Sequence, residues 1–174
     1  MEYNWYALYT FSRTEKRVKE RLEEANIEVF LPLSRKLRKW KDRKKYVEEP
    51  MISSYVFVKV SEREYYKVLE TEGIVRYVTF SGKAAPIPEW QIDVMKKIVE
   101  SKYPVLLTVE KLQPGCKIRI ISGVFTGIEG EMVSFRGKKN LIIRLDQVGQ
   151  SILVNIPGED VEVIEKKEDC NNEL

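Results

Sequence analysis

The alternation of apolar and polar positions is clearest in Ser54-Tyr-Val-Phe-Val-Lys-Val60, and the rest of the chain is arranged around that stretch. At strand period Val56, Val58 and Val60 point one way, and Tyr55, Phe57 and Lys59 the other. A β-branched face of this kind packs against helices. The aromatic face then meets either a second layer of the same chain or a partner. At this level Tyr55 and Phe57 are either ordinary core or partner contacts; a buried Tyr55 needs a hydrogen bond for its hydroxyl.

Before that strand, Trp5 to Tyr9 is an apolar run short enough for a buried strand. Ser12, with Glu15 three residues on, has the form of a capping box. Val18, Leu22 and Ala25 then recur at helical spacing until Asn26 ends the segment. Val29 to Leu33 predicts a second strand. Arg35 to Lys45 is dense in Lys and Arg, interrupted by Trp40 and Asp42. It is either a solvated loop of mutually repelling charges or a hairpin turning near Asp42 and returning through Tyr46 to Pro50.

After the strand, Ser61 and Glu64 repeat the capping box, and Tyr65, Val68 and Leu69 give a short helix its apolar stripe. Gly73 suits the C-terminal closure of that helix. Val75 to Phe80 alternates as another strand, turned by Ser81-Gly82. Pro86 and Pro88 lead into a helix with Ile92, Met95, Ile98 and Val99 on one face. The mixture predicts an α+β module, its sheet mostly antiparallel and flanked by helices.

Beyond Ser101 the texture changes. Residues 102–113 lack a clear period and read as a linker. Short β-rich runs follow: Lys117–Ile121, Glu131–Phe135, Leu141–Leu145, Ser151–Ile156 and Val161–Ile164, punctuated by Gly123, Gly127, Gly137, Gly149 and Gly158. The expected division is therefore a first domain over 1–101, the linker 102–113, a small barrel over 114–165 and a polar tail over 166–174.

Composition narrows the class. Of 174 residues, 43% are hydrophobic and 33% charged, enough for packed cores and unlike a disordered or membrane-spanning chain. No run reaches the roughly 18 apolar residues of a spanning helix, and Met1-Glu-Tyr-Asn lacks the basic start of a signal peptide. Cys116 and Cys170 lie far apart, the second in the polar tail, which argues against a disulfide framework and for a reducing compartment. Histidine is absent, removing the commonest general base and metal ligand. No zinc-type spacing, nucleophile elbow, P-loop or dinucleotide fingerprint occurs. A binding protein is expected, without catalytic residues, metal or cofactor.

Gly115-Cys-Lys-Ile-Arg-Ile-Ile-Ser-Gly-Val-Phe-Thr-Gly-Ile-Glu-Gly-Glu-Met-Val133 resembles the KOW motif. Gly123 and Gly127 permit turns costly for other residues, and Gly130 permits close backbone approach. Phe125 between them is either the plug of the barrel or a contact exposed at the loop tip. With Trp5-Tyr6, Glu15, Val18, Tyr55-Val-Phe-Val58, Gly73-Ile-Val, Pro86-Ile-Pro88 and this string in order, the chain resembles the NusG family of transcription elongation factors. That likeness implies an NGN domain followed by an SH3-like KOW barrel. Trp40-Lys-Asp-Arg-Lys-Lys45 with Val47-Glu-Glu-Pro50 looks most like the specialised UpxY- and RfaH-type antiterminators. One departure is Ser53-Ser54, where the family commonly writes Pro-Gly or Pro-Ser.

The resemblance implies a cytoplasmic, non-enzymatic regulator, with no membrane partner, that binds bacterial RNA polymerase and suppresses pausing or termination at specific operons. Carried over by position, Tyr9, Met51, Ile52, Tyr55, Phe57 and Phe80 would dock on the β′ clamp helices. Glu64-Tyr65-Tyr66 falls where RfaH-like proteins meet the β gate loop. Arg13, Lys16, Arg17 and Arg76 would face the non-template DNA strand, and Phe125 would contact a ribosomal protein or termination factor. The alternative is a ribosomal-type KOW protein that clamps RNA. Against it, Tyr55 and Phe57 share their face with only one cation, Lys59, whereas RNA-binding sheets flank their aromatics with basic residues.

Overall fold

The computed structural model describes residues 2–39, 42–80, 82–101, 105–110, 112, 115–136, 138–145 and 148–165. It has two compact units, Met1–Ile92 and Asp93–Leu174, and the division falls inside the third helix. The elements of the first unit are β1 (Asn4–Thr10), α1 (Glu15–Glu24), β2 (Glu28–Phe30), β3 (Leu33–Lys39), β4 (Lys44–Pro50), β5 (Tyr55–Val60), α2 (Tyr65–Leu69), β6 (Ile74–Tyr77), β7 (Thr79–Phe80), β8 (Lys83–Ala84) and β9 (Pro86–Ile87), followed by α3 (Glu89–Glu100).

The sheet runs β2-β5-β1-β6, with β9 also on β1, and every pairing is antiparallel. Register explains the two faces of β5. Val58 lies opposite Tyr6 and Val56 opposite Leu8; these join Val60, Val18 and Leu22 of α1 and Val68 of α2 in one buried cluster. The valine face is thus covered by helices, as its branching predicted. On the other face Lys59 lies opposite Trp5, Phe57 opposite Ala7, and Tyr55 opposite Tyr9. That face has two ends. Trp5, Ala7 and Phe57 are buried, while Tyr55 is half-buried and Tyr9 exposed.

Helix α1 begins later than the Ser12–Glu15 pattern predicts. Its N-cap is Thr14, whose hydroxyl donates to the Phe11 carbonyl at 2.7 Å rather than capping the helix, and Arg13 before it has φ +67°. Glu15 does not fold back to Ser12. Its carboxylate is buried and accepts the Ser54 N–H at 2.8 Å. A tertiary donor with no other acceptor outcompetes the local cap. The C-terminus follows the sequence: Asn26 is left-handed at φ +59°, its N–H donates to Glu23 O and that of Ile27 to Leu22 O, a Schellman closure. Before α2 half of the predicted box forms: Ser61 N–H and Oγ both donate to Glu64 Oε2, at 3.0 and 2.7 Å, but Glu64 N–H donates to the Ser61 carbonyl and Glu64 itself is the N-cap, with no side-chain cap.

Gly73 is not the cap of α2, which ends at Leu69. It enters β6 at φ +100°, and a Cβ there would stand 2.7 Å from Val18 Cγ2. The basic run is a hairpin, β3 against β4 from Leu33–Pro50 to Lys39–Lys44; Trp40, at its turn, lies outside the described residues.

The second unit contains β10 (Val105–Thr108), β11 (Cys116–Ile120), β12 (Glu129–Phe135), β13 (Lys138–Leu145), β14 (Gln150–Val154) and β15 (Val161–Glu165). They form one antiparallel sheet in the order β10-β14-β13-β12-β11-β15. Residues 105–108, expected in the linker, are a sheet strand: Val105-Leu-Leu-Thr108 is too short to show a period but has the composition to pair. Ile118, Ile120, Leu141, Ile143, Ile152 and Val154 are buried, and Val133, Phe135, Ile142 and Leu153 form a separate buried cluster on the other face. Gly130 pairs with Ile118, and a Cβ on it would meet Leu141 Cδ1 at 2.4 Å. Cys116 is disulfide-bonded, contrary to the expectation of two unpaired cysteines; its bonding partner lies outside the described residues. Separation along a chain is a weak guide here, because loop-closure entropy grows only slowly with length. Among the described residues no helix is long and apolar enough to cross a membrane.

Candidate functional site

Three of the sequence-predicted residues, Tyr9, Tyr55 and Arg76, meet at the open end of the β1–β5 sheet. Tyr9 and Tyr55 are register partners whose rings make a T-shaped contact at 5.5 Å between centroids. Tyr9 also pairs with Arg76 on β6, and the Arg76 guanidinium lies over its ring at 5.8 Å. Cation–π contact at that distance holds the arginine without consuming its hydrogen-bond donors. Two of the residues expected to dock and one of those expected to face nucleic acid are therefore contiguous. Phe80, on the β7–β8 ribbon, is 75% exposed.

Three of the expected docking residues are not at the surface. Phe57 and Ile52 are fully buried and Met51 is 9% exposed. Phe57 packs with Phe30 at 6.2 Å between centroids, and Met51 is held by its N–H to Pro32 O at 2.7 Å. Strand period put Phe57 on the correct face but carried no information on which end of that face is covered. These side chains are core rather than contacts.

The cations divide likewise. Lys16 and Arg17 are exposed on the first turn of α1, whereas Arg13 is exposed in the left-handed turn before it, so the two arginines do not share a helix. Phe11, beside them, was not singled out from the sequence. It is 61% exposed on a backbone pinned by its N–H to Gly73 O and by Thr14 N–H and Oγ1 to its own carbonyl. A phenylalanine placed just beyond the last residue of an apolar strand run was the available signal.

Around α2, Tyr65 stacks on Tyr77 at 4.1 Å, and Tyr66, highly exposed, borders a cleft with Tyr6, Ser61 and Glu62. Burial pushes the Tyr65 phenol up, and Tyr77 more strongly, so both stay neutral. The Ser61 backbone N–H, then its hydroxyl, hold the Glu64 carboxyl below its ordinary value.

In the second unit, Gly123 and Gly127 are left-handed, at φ +79° and +83°. They carry Phe125 inward, where it is 2% exposed. Phe125 is the plug of the barrel, not a partner contact; Ile121 and Val124 beside it are exposed instead. Among the described residues no cluster of His, Cys, Asp or Glu is gathered that could hold a metal ion.

The comparisons with known proteins agree with this architecture. The family model described as "Transcription termination factor nusG" matches residues 3–96, more than half of the chain. The transcription termination/antitermination protein NusG of Chlamydia pneumoniae is 25% identical over 172 residues, covering 92% of this chain and 90% of its own. That of Lactococcus lactis subsp. lactis is 23% identical over 173 residues, covering 92% and 93%. A solved structure described as "Domain interaction in Thermotoga maritima NusG" superposes with a TM-score of 0.53 at 23% identity, covering 95% of this chain and 99% of that one, a likeness of fold. The chain belongs to the NusG family of transcription factors, with an NGN-type first unit and an all-β KOW unit after it.

Proposed function

We propose that this protein is a non-enzymatic elongation and antitermination factor that binds RNA polymerase through the Tyr9–Tyr55 end of its sheet and suppresses pausing or termination at specific operons. The observation that carries this reading is the two-ended aromatic face: a covered floor at one end, Phe57, and an open pair, Tyr9 and Tyr55, at the other. A pre-positioned aromatic anchor on a rigid floor suits a groove between two helices, because little side-chain freedom is lost on binding. The β′ clamp helices of polymerase offer such a groove. Phe80 extends the surface, and Tyr66 lies where a second contact, to the β gate loop, would fall.

Arg76, Arg13, Lys16 and Arg17 then face the non-template DNA strand, supplying salt-dependent phosphate attraction. Phe11 adds a ring on which a base can stack. The KOW unit meets a ribosomal protein or termination factor through Ile121 and Val124. The basic hairpin favours a specialised role of the UpxY and RfaH kind over that of a general factor.

Affinity capture tests the assignment: the chain retains RNA polymerase and a Tyr9→Ala/Tyr55→Ala variant does not. Retention of ribosomal subunits in place of polymerase would sink it.

A further inference from the structure

Among the described residues the β3–β4 hairpin pairs with no other strand. Its two halves differ in chemistry. Near the base Arg35 lies opposite Glu48 and Ser34 opposite Glu49, and Arg35 rests over the Tyr46 ring at 4.9 Å. Toward the tip Arg38 lies opposite Lys45 and Lys39 opposite Lys44, with Arg43 following in the turn, all exposed. Glu49 reaches Arg38 at 2.5 Å. Lys39, Arg43, Lys44 and Lys45 have no carboxylate within ion-pair distance among the described residues.

Like charges directly opposite one another destabilise a strand pair, and an unsupported two-stranded ribbon is marginal to begin with. This tip is therefore built against its own stability, and a polyanion relieves it. The distribution says which polyanion. Cross-strand partners share a face, so Arg38 and Lys45 project from one side of the ribbon and Lys39 and Lys44 from the other. A single strand or a flat acidic surface engages one face. Cations on both faces match a ribbon flanked by two phosphate walls. The major groove of B-form DNA, about 12 Å wide, admits a two-stranded ribbon, whereas that of A-form RNA is too narrow for side chains to enter.

We propose that the β3–β4 ribbon seats in the major groove of double-helical DNA, with Lys39 and Lys44 on one backbone and Arg38 and Lys45 on the other. The site is separate from the surfaces assigned to polymerase and to the non-template strand, and it stands whether or not those assignments hold.

The test uses the full chain and a short random-sequence DNA duplex without polymerase, titrated by anisotropy between about 50 and 200 mM salt. Gln at all four of Arg38, Lys39, Lys44 and Lys45 should lower affinity at least tenfold. It should also flatten the dependence of log K on log salt by roughly 3.6, about 0.9 for each of the four phosphates released. Because the substitutions remove repulsion, the variant's thermal midpoint should not fall. Lys39→Arg/Lys44→Arg should keep duplex affinity, separating charge from fold. An unchanged affinity and slope in the Gln variant would overturn the proposal, as would an equal or larger loss of its affinity for single-stranded DNA or an RNA hairpin.

Discussion

Phe57 and Tyr55 are neighbours on one face of β5, and the structure gives them different work. Phe57 is fully buried against Phe30. Replacing it with alanine removes a whole aromatic side chain from a packed floor, at a cost of about 3–5 kcal/mol. Set against a typical domain stability of roughly 5–15 kcal/mol, that loss removes a large share of the first unit's stability. Tyr55 is half-buried, and its main ring contact is the T-shaped one with Tyr9. Its removal forfeits about 0.5–1.5 kcal/mol of pairing plus part of its burial, so about 1–2 kcal/mol in all. A two-unit chain need not unfold in one step, so hydrogen exchange at the β1 and β5 amides is the suitable assay. With tenfold for each 1.4 kcal/mol, Phe57→Ala should accelerate exchange by about 100-fold or more and Tyr55→Ala by roughly 30-fold or less. Equal protection in the two variants would refute the division of the face into floor and contact.

Three further outcomes follow from local geometry. Gly73→Ala should destabilise the first unit by about 2 kcal/mol or more, combining left-handed strain with the Cβ clash on Val18; thermal melting checks it, and a neutral result would mean Val18 moves aside freely. Gly130→Ala should destabilise the KOW unit alone, because its Cβ would meet Leu141, and NMR would show shifts confined to that unit. The lowered Glu64 carboxyl makes a stabilising contribution that is complete above the unfolded value near 4.5 and is lost as pH falls through the lower folded value. Glu64→Gln should therefore lower stability at neutral pH and make acid unfolding less steep, the two proteins converging as pH falls below that value; unchanged neutral stability with an identical acid limb would remove the Ser61–Glu64 contact from the account.

The sequence carried the periodic parts of the fold well. The valine face of β5 and five of the KOW strands rest on short-range patterns that the tertiary structure did not override, and of the two readings open for the basic run the hairpin is the one formed. Where sequence fell short, a long-range partner decided. Glu15 left its local cap for the Ser54 N–H, at the position where the family commonly has Pro-Gly, and Ser54 there adopts φ +64°. The direction of Phe125 depended on two left-handed glycines whose combined turn no local pattern fixes. The candidate site was legible as a face but not as its ends: period two assigns Phe57 and Tyr55 to one side and cannot say which of them is covered.

The central claim is that the open Tyr9–Tyr55 pair is a protein-docking anchor, and binding of the full chain to RNA polymerase core enzyme without nucleic acid tests it most directly. Tyr9→Ala and Tyr55→Ala should each weaken that binding by about 1–3 kcal/mol, the range of a buried aromatic anchor, while Arg13→Ala/Arg17→Ala leaves it unchanged. Wild-type affinity in both tyrosine variants, with the fold intact by hydrogen exchange, would contradict it.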